Sequence, residues 1–393
     1  MATRRASVLW TVLIASVITF AASQAWAVVV DMTVKDNSGP AQDVEVTFTR
    51  EDDPNRPTTT GWTNAQGNVL DKDGKAVVLP PGKYGVRARG RDHVTATETF
   101  TVGPGETASF GMTVERIMPW MVQNPPCSLC FGLGAGYIGQ WADDLKLEPG
   151  EITITNVPGQ DPIIERDGSV VNRFNSDLNA GVAHFPIGIS TIHAGNLRFY
   201  PALNVQAGDG DLTIDSERRS DGLKILSFQG SGGIAGAGVG VIATCPNCFW
   251  YLGATYDYVA LFDAELEGDL RVALGPSITN FSARAWVNSH SHSISGRFGL
   301  NLPFLNYFFS PYVGARGIWQ DIDFKQLTQF NDAGVGHVTI DTTAKFTRNT
   351  VEGIAGVDAR FWGPLFGRFE STFNGSDVSV MFKIIYDIGF VDP

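Results

Sequence analysis

Charge is scarce in this 393-residue chain: Asp, Glu, Lys and Arg together make up 18% of it. A fraction that low, beside 43% hydrophobic residues, excludes an intrinsically disordered chain. Cysteine is scarcer, at four residues, so whatever the cysteines stabilise is local. Basic residues number 29 against 41 acidic, a net charge of −12, which argues against nucleic acid or an anionic lipid surface as the main partner. The sequence has no P-loop, no Gly-x-Ser-x-Gly elbow and no haem-type Cys-x-x-Cys-His. No cofactor and no enzymatic activity are expected. Helix-length apolar runs are also missing from the body of the chain. The 32 uncharged residues 225–256 contain seven glycines and Pro246, and in a helix each glycine costs about 1 kcal/mol and proline about 3. Two strands, 232–243 and 249–261, joined by the turn Thr244 to Cys248, fit that composition better. A mean hydropathy of −0.01 excludes a polytopic helical membrane protein but leaves a β-rich one open.

What is present begins with an export signal over residues 1–27. Arg4 and Arg5 precede the charge-free stretch Ser7 to Ala22, and Ala25-Trp26-Ala27 forms a small-x-small cleavage site. Loss of the two arginines takes the net charge to −14. Residues 28–115 then alternate in short β-branched runs such as Val28 to Val34, Asp43 to Thr49 and Tyr84 to Ala88. The turn clusters Asn37-Ser38-Gly39-Pro40, Gln66-Gly67-Asn68 and Pro80-Pro81-Gly82 separate such runs. That spacing indicates a small antiparallel sandwich. Its pieces "DNSGPAQDVEVTF", "TNAQGNV" and "LPPGKYGVRARG" resemble the carboxypeptidase regulatory-like, transthyretin-like family. The resemblance implies a spacer or binding platform, here for a periplasmic protein or envelope partner. Asp52, Asp53 and Asp92 are read as solvated loop carboxylates.

Residues 116–130, "RIMPWMVQNPPCSLC", are a Pro-bearing linker, and from 131 to 393 the composition turns to Gly, Phe, Tyr and Asn. In Val378 to Phe390 one parity (Val378, Val380, Phe382, Ile384, Tyr386, Ile388, Phe390) is apolar, and the other carries Ser379, Lys383 and Asp387. A strand apolar on one side and charged on the other over 13 residues fits a lipid-facing wall around a polar lumen. Lipid tolerates only helices or closed barrels, because unpaired backbone groups cost several kcal/mol each. The expected fold is therefore all-β: the small sandwich, then a C-terminal antiparallel transmembrane barrel. Ten strands are expected near 131–141, 182–192, 196–208, 232–243, 249–261, 293–303, 307–324, 349–362, 366–374 and 378–390. Eight strands, or twelve if 262–289 holds another hairpin, are the alternatives. An even count puts both barrel ends on the periplasmic side, and long polar connections mark the outer side.

The pieces "FGLGAGYIGQW", "FFSPYVGARG" and "MFKIIYDIGF" resemble the small outer-membrane barrels of the OmpA-type, porin-like superfamily. The resemblance implies an outer-membrane location, contact with outer-membrane lipid, and Tyr386, Gly389 and Phe390 as the signal read by the barrel-assembly machinery. Val391, Asp392 and Pro393 depart from it by following the aromatic that normally ends such chains.

The inward parities contain Arg297, Arg316, Glu352, Asp358, Arg360, Arg368, Glu370, Lys383 and Asp387. In so narrow a barrel, groups of both signs pair across the lumen, which points to a structural or interaction protein of the envelope. A narrow passive channel lined by the same residues is the alternative. Cys127-x-x-Cys130 and Cys245-x-x-Cys248 admit disulfides, a four-thiolate zinc site or a redox pair; an oxidising compartment favours disulfides, with local pairing the simplest. His290 and His292 share one strand face, and with Ser291 or Ser293 they raise a remote lipid-hydrolase reading that lacks an acidic partner nearby.

Overall fold

The computed structural model describes residues 27–389 apart from 37–38, 106, 128, 143–145, 148–151, 155–162, 166–171, 219–223, 246–247, 275–276, 303–304, 306, 333–335 and 376. Residues 1–26, which hold nearly all of the expected export signal, Phe390 and the three residues after it lie outside that range. The chain divides into two compact units, with the boundary between Ile117 and Met118.

The amino-terminal unit is a two-sheet β structure. One sheet centres on β1 (Val28–Asp36), antiparallel to β4 (Val77–Leu79) and parallel to β7 (Ala108–Thr113). The other runs β6–β5–β2–β3, with β2 Val44–Arg50, β3 Thr58–Thr63, β5 Gly82–Gly90 and β6 His93–Val102, all antiparallel. The β1–β7 pairing is thus parallel, where the short runs read as uniformly antiparallel. Alternation along β1 and β2 buries Val30, Met32, Val34, Val46 and Phe48 in one core with Leu79 and Val86. Asn64 shapes the 64–68 turn by accepting the backbone N–H of both Gln66 and Asn68 at 3.0 Å, and Gly67 supplies its φ of 77°.

The second unit is a closed barrel of ten antiparallel strands. They are β8 (Phe131–Ala142), β9 (Asn172–Gly188), β10 (Leu197–Arg218), β11 (Lys224–Thr244), β12 (Trp250–Leu274), β13 (Ser277–Leu300), β14 (Phe309–Asp332), β15 (Gly336–Trp362), β16 (Leu365–Asn374) and β17 (Asp377–Ile388). Each pairs with the next, and β17 returns to β8 over Phe131↔Ile388 to Trp141↔Val378. No sheet edge is left within the membrane-height ring.

Strand length departs from expectation. β10 to β15 run 21 to 27 residues, where a spanning strand needs about 9–11. Among the described residues the segments taken as long polar connections are therefore largely strand: 262–274 and 277–289 form no extra hairpin but continue β12 and β13 themselves. β8, β16 and β17 stay short, at 10 to 12 residues, so among the described residues the far half of the wall is built mainly from β9 to β15. There Phe174 of β9 meets Phe346 of β15 at 5.0 Å between ring centroids, closing the seam by side-chain packing, while Lys146–Leu147 pairs onto β15.

The two halves of the barrel have opposite polarity. Near the chain ends, Leu133, Leu252, Ile294, Phe298, Val313, Val351, Phe369 and Phe382 face outward and are exposed, the band a lipid core requires. In the far half the outward residues are Asp209, Asp211, Glu265, Glu267, Arg284, Asp321, Asp323 and Lys325. The inward ones there form an apolar core of Leu212, Ile214, Phe228, Leu266, Val287, Ile322, Phe324 and Phe346.

Candidate functional site: the barrel lumen

The near half of the lumen is charged. Alternation turns Arg297, Glu352, Asp358, Arg360, Arg368, Lys383 and Asp387 inward and buries them; Arg316 and Glu370 face the same way at intermediate exposure. Arg368 donates two bonds to Asp358, Nε to Oδ1 at 2.7 Å and Nη2 to Oδ2 at 2.8 Å. Arg316 donates to Glu352 at 2.7 Å, as does Arg348, which also reaches Asp377 at 2.9 Å. The Tyr312 hydroxyl donates to Glu370 at 2.7 Å, and the guanidinium carbons of Arg297 and Arg368 lie 5.3 Å from its ring centroid. Arg348, Asp377 and Tyr312 escaped the sequence reading. Arg348 and Asp377 sit at the ends of clear alternating segments, and Tyr312 reads as one more wall aromatic. Small residues make room for this network: Gly136 leaves the inner face of β8 bare where a Cβ would come within 2.7 Å of the Lys383 side chain.

The stretch 118–126 is no free linker. Pro119–Val122 forms a 3-10 turn, with proline at the first position, where its missing N–H costs nothing. Trp120 is fully buried in the near end of the barrel, against Tyr200 at 5.0 Å and Tyr251 at 5.6 Å between centroids, and its Nε1 donates to Asn301 at 2.9 Å. The Asn124 amide donates to the Tyr200 carbonyl at 2.8 Å, the Thr191 hydroxyl to the Pro126 carbonyl at 2.7 Å, and Gln123 Oε1 lies 3.2 Å from His184 Nε2. Gly188 lets the segment in, since a Cβ there would meet the Cys127 carbonyl at 2.5 Å. The sequence signal was Trp-Met-Val after a proline, three large apolar residues in a stretch read as a Pro-bearing linker.

Between this charged floor and the apolar far core lies a cavity of about 240 Å³. Its polar wall includes Asp257, Arg297, Arg316, Arg368, Glu370 and Lys383, and its apolar wall Leu178, Ile214, Ile234, Leu261, Ile318 and Ile322. A ladder of Ser289, Ser291, Ser293 and Ser295 joins the two.

Cys127 lies beside Cys130 and Cys245 beside Cys248, with Cα separations of 5.6 and 5.1 Å, inside the reach of a disulfide. Among the described residues the four sulfurs are not gathered into a metal set. His290 and His292 face outward, where their Nδ1 atoms lie 2.8 Å from the hydroxyls of Tyr258 and Tyr256, whereas Ser291 and Ser293 line the cavity inside. Neighbours on a strand point to opposite faces, so the histidine–serine pairing of a hydrolase does not form. Tyr386 faces outward and is exposed, and Gly389 has φ 132°.

No family model matches the chain, and no curated protein does. Solved structures similar to it are membrane barrels. The β domain of the Bordetella autotransporter BrkA is 11% identical, with 66% of this chain and all of that one covered at a TM-score of 0.31. The outer membrane protein OprG from Pseudomonas aeruginosa is 12% identical over 66% of this chain and 96% of that one, at 0.30. The Pseudomonas putida toluene transporter TodX is 10% identical over 68% and 92%, at 0.29. Likeness at that level does not extend to what a lumen does.

Proposed function

We propose that this protein is a non-conducting barrel of the bacterial outer membrane that anchors its amino-terminal β-sandwich on the periplasmic side as an interaction module of the envelope. The observation that carries the reading is the occupied lumen: Trp120, Gln123 and Asn124 fill the near end, and behind them bidentate and branched ion pairs, formed along one strand and between neighbouring ones, line the interior. The outward apolar band supports residence in lipid. Ten strands return the chain to the side on which it entered, and the sandwich precedes the first of them. The terminal strand, with Tyr386, Gly389 and Phe390, is the element offered to the barrel-assembly machinery, and the paired cysteines are disulfides of the near rim.

A narrow channel is the competing reading, supported by the charged cavity. Planar-bilayer recording of the refolded full-length chain separates the two. The expected record is silent at all voltages, and discrete conductance steps would refute the non-conducting reading. For the interaction module, crosslinked pull-down from envelopes with and without residues 28–115 should lose specific partners; an unchanged partner set would refute that role.

A further inference from the structure

We propose that the lumen cavity is a binding site for an amphipathic carboxylate, a medium-chain fatty acid or a molecule of the same design, with its head at Arg297 and its tail against the apolar wall. Arg297 carries the argument. It is 7% exposed and lines the cavity, yet its Nε and Nη2 have no hydrogen-bond partner. Those two atoms are closed off by the surrounding chain, and the part of the side chain that lines the cavity has no ion pair with a described carboxylate, so it can take a charge-assisted contact to a ligand carboxylate. Leaving a buried charged donor unpaired is costly, and here two lie side by side.

The surroundings separate Arg297 from the other cations of the lumen. Arg316 and Arg368 already hold Glu352 and Asp358. Glu370 takes the Tyr312 hydroxyl, and Asp257 accepts from the Thr255 hydroxyl at 3.2 Å. Lys383 Nζ meets only the imine nitrogen His184 Nδ1, at 3.3 Å. That contact needs the histidine proton on Nε2, where it faces Gln123 Oε1. The cavity therefore presents a second cation, Lys383, that no carboxylate pairs at ion-pair distance among the described residues.

The rest of the cavity sets the other half of the ligand. Ile214, Ile234, Leu261, Ile318 and Ile322 make the far wall apolar, so a fully hydrated anion would leave that surface unsatisfied. About 240 Å³ is the space of roughly eight waters, which suits a saturated chain of about eight to ten carbons.

The test uses the full-length chain in phospholipid nanodiscs, with decanoate carrying a ¹³C carboxyl as the probe, and with decanol and decyltrimethylammonium of equal chain length beside it. Saturable one-to-one binding of decanoate is expected, with the head resonance shifted from its lipid-partitioned position, and neither comparison amphiphile should saturate. Arg297→Met should weaken decanoate by about ten- to a hundredfold, the loss of a charge-assisted contact. Ser291→Phe, which fills the cavity and leaves every cation in place, should abolish binding in a barrel that still folds, so the outcome does not depend on the stability of the arginine variant. Equal binding of decanol, binding of the cation, binding unaffected by Ser291→Phe, or no saturable binding of decanoate would each overturn the proposal. Each of these results is independent of whether the barrel conducts.

Discussion

Arg368 and Asp358 offer the sharpest test of how the lumen is held. Their side chains are 8% and 0% exposed, and two bonds join them. Removing one partner of a buried pair leaves an uncompensated charge, at a cost of about 3–5 kcal/mol. Replacing both by apolar groups of similar shape is often neutral or better. Asp358→Asn and Arg368→Met should therefore each destabilise the barrel by about 3–5 kcal/mol, and Asp358→Leu/Arg368→Met by much less than the sum of its single changes. The coupling energy should reach at least about 3 kcal/mol, well above the 0.2–1 kcal/mol, roughly, of exposed pairs. With guanidinium slopes of about 2–6 kcal/mol/M, each single variant should unfold roughly 0.5 to 2.5 M earlier. Equilibrium unfolding of the bilayer-refolded protein, followed by tryptophan fluorescence, reads this directly. Additive losses in the double variant would show that the lumen is solvated like a surface and would refute a sealed interior.

Other consequences are as direct. Trp120→Ala removes a fully buried indole, two ring contacts and the bond to Asn301, a loss of about 3–5 kcal/mol; thermolysin should then cut within 118–126 at least a hundredfold faster than in the parent. Gly188→Val, whose Cβ would strike the Cys127 and Pro125 carbonyls, should expose the same segment to protease, and protection equal to the parent would contradict the close approach. Mass spectrometry of the unreduced protein should find no free thiol. The double change Cys245→Ser/Cys248→Ser should cost under about 3 kcal/mol, since the closed loop is short. His290→Ala/His292→Ala should leave folding and any lipid turnover unchanged, because both rings point away from the lumen serines; loss of a hydrolytic activity would restore the enzyme reading.

The strand count was legible because lipid imposes a strict rule on every spanning residue. In Val378 to Ile388 and Ile294 to Leu300 the outward residues are almost all apolar, so parity alone locates the strand and assigns its faces, and the nine charged residues of the opposite parity all face the lumen. The rule stops at the membrane surface. Residues 209–231, 262–289 and 325–348 read as connections because their outward positions are Asp, Glu, Lys or Arg in many places, although the same strands extend into them from both sides. β12 adds a second obstacle, a bulge between Leu261 and Ala264 with Asp263 at φ 54°. Inward residues are odd-numbered up to Leu261 and even-numbered from Ala264, so alternation is broken where a reader needs it. Where Trp120 goes was illegible for another reason: its apolar run is visible, but its partners Tyr200, Tyr251 and Asn301 are distant in sequence, and no local period marks a residue that fills a barrel from its end.

The inversion of polarity along the barrel axis explains why the cavity lies where it does. β14 keeps its even-numbered residues inward from Ser310 to Thr328, with Tyr312 and Arg316 at the bottom and Ile318, Ile322 and Phe324 above them; its outward residues change from Val313, Ala315 and Trp319 to Asp321, Asp323 and Lys325. Backbone geometry is therefore constant and only side-chain chemistry switches, at about residues 318–321. Below the switch, lipid takes the apolar groups and the lumen must satisfy charges by pairing them. Above it, water takes the charges and the lumen packs as a soluble core does. At the switch neither solution is complete. Polar groups on the floor face apolar groups on the roof, and nothing fills both demands from within the chain. A void at that height, with the side chains of Arg297 and Lys383 on one wall and isoleucines on the other, is what two internally consistent halves leave when stacked, and an amphipathic molecule placed there would match both.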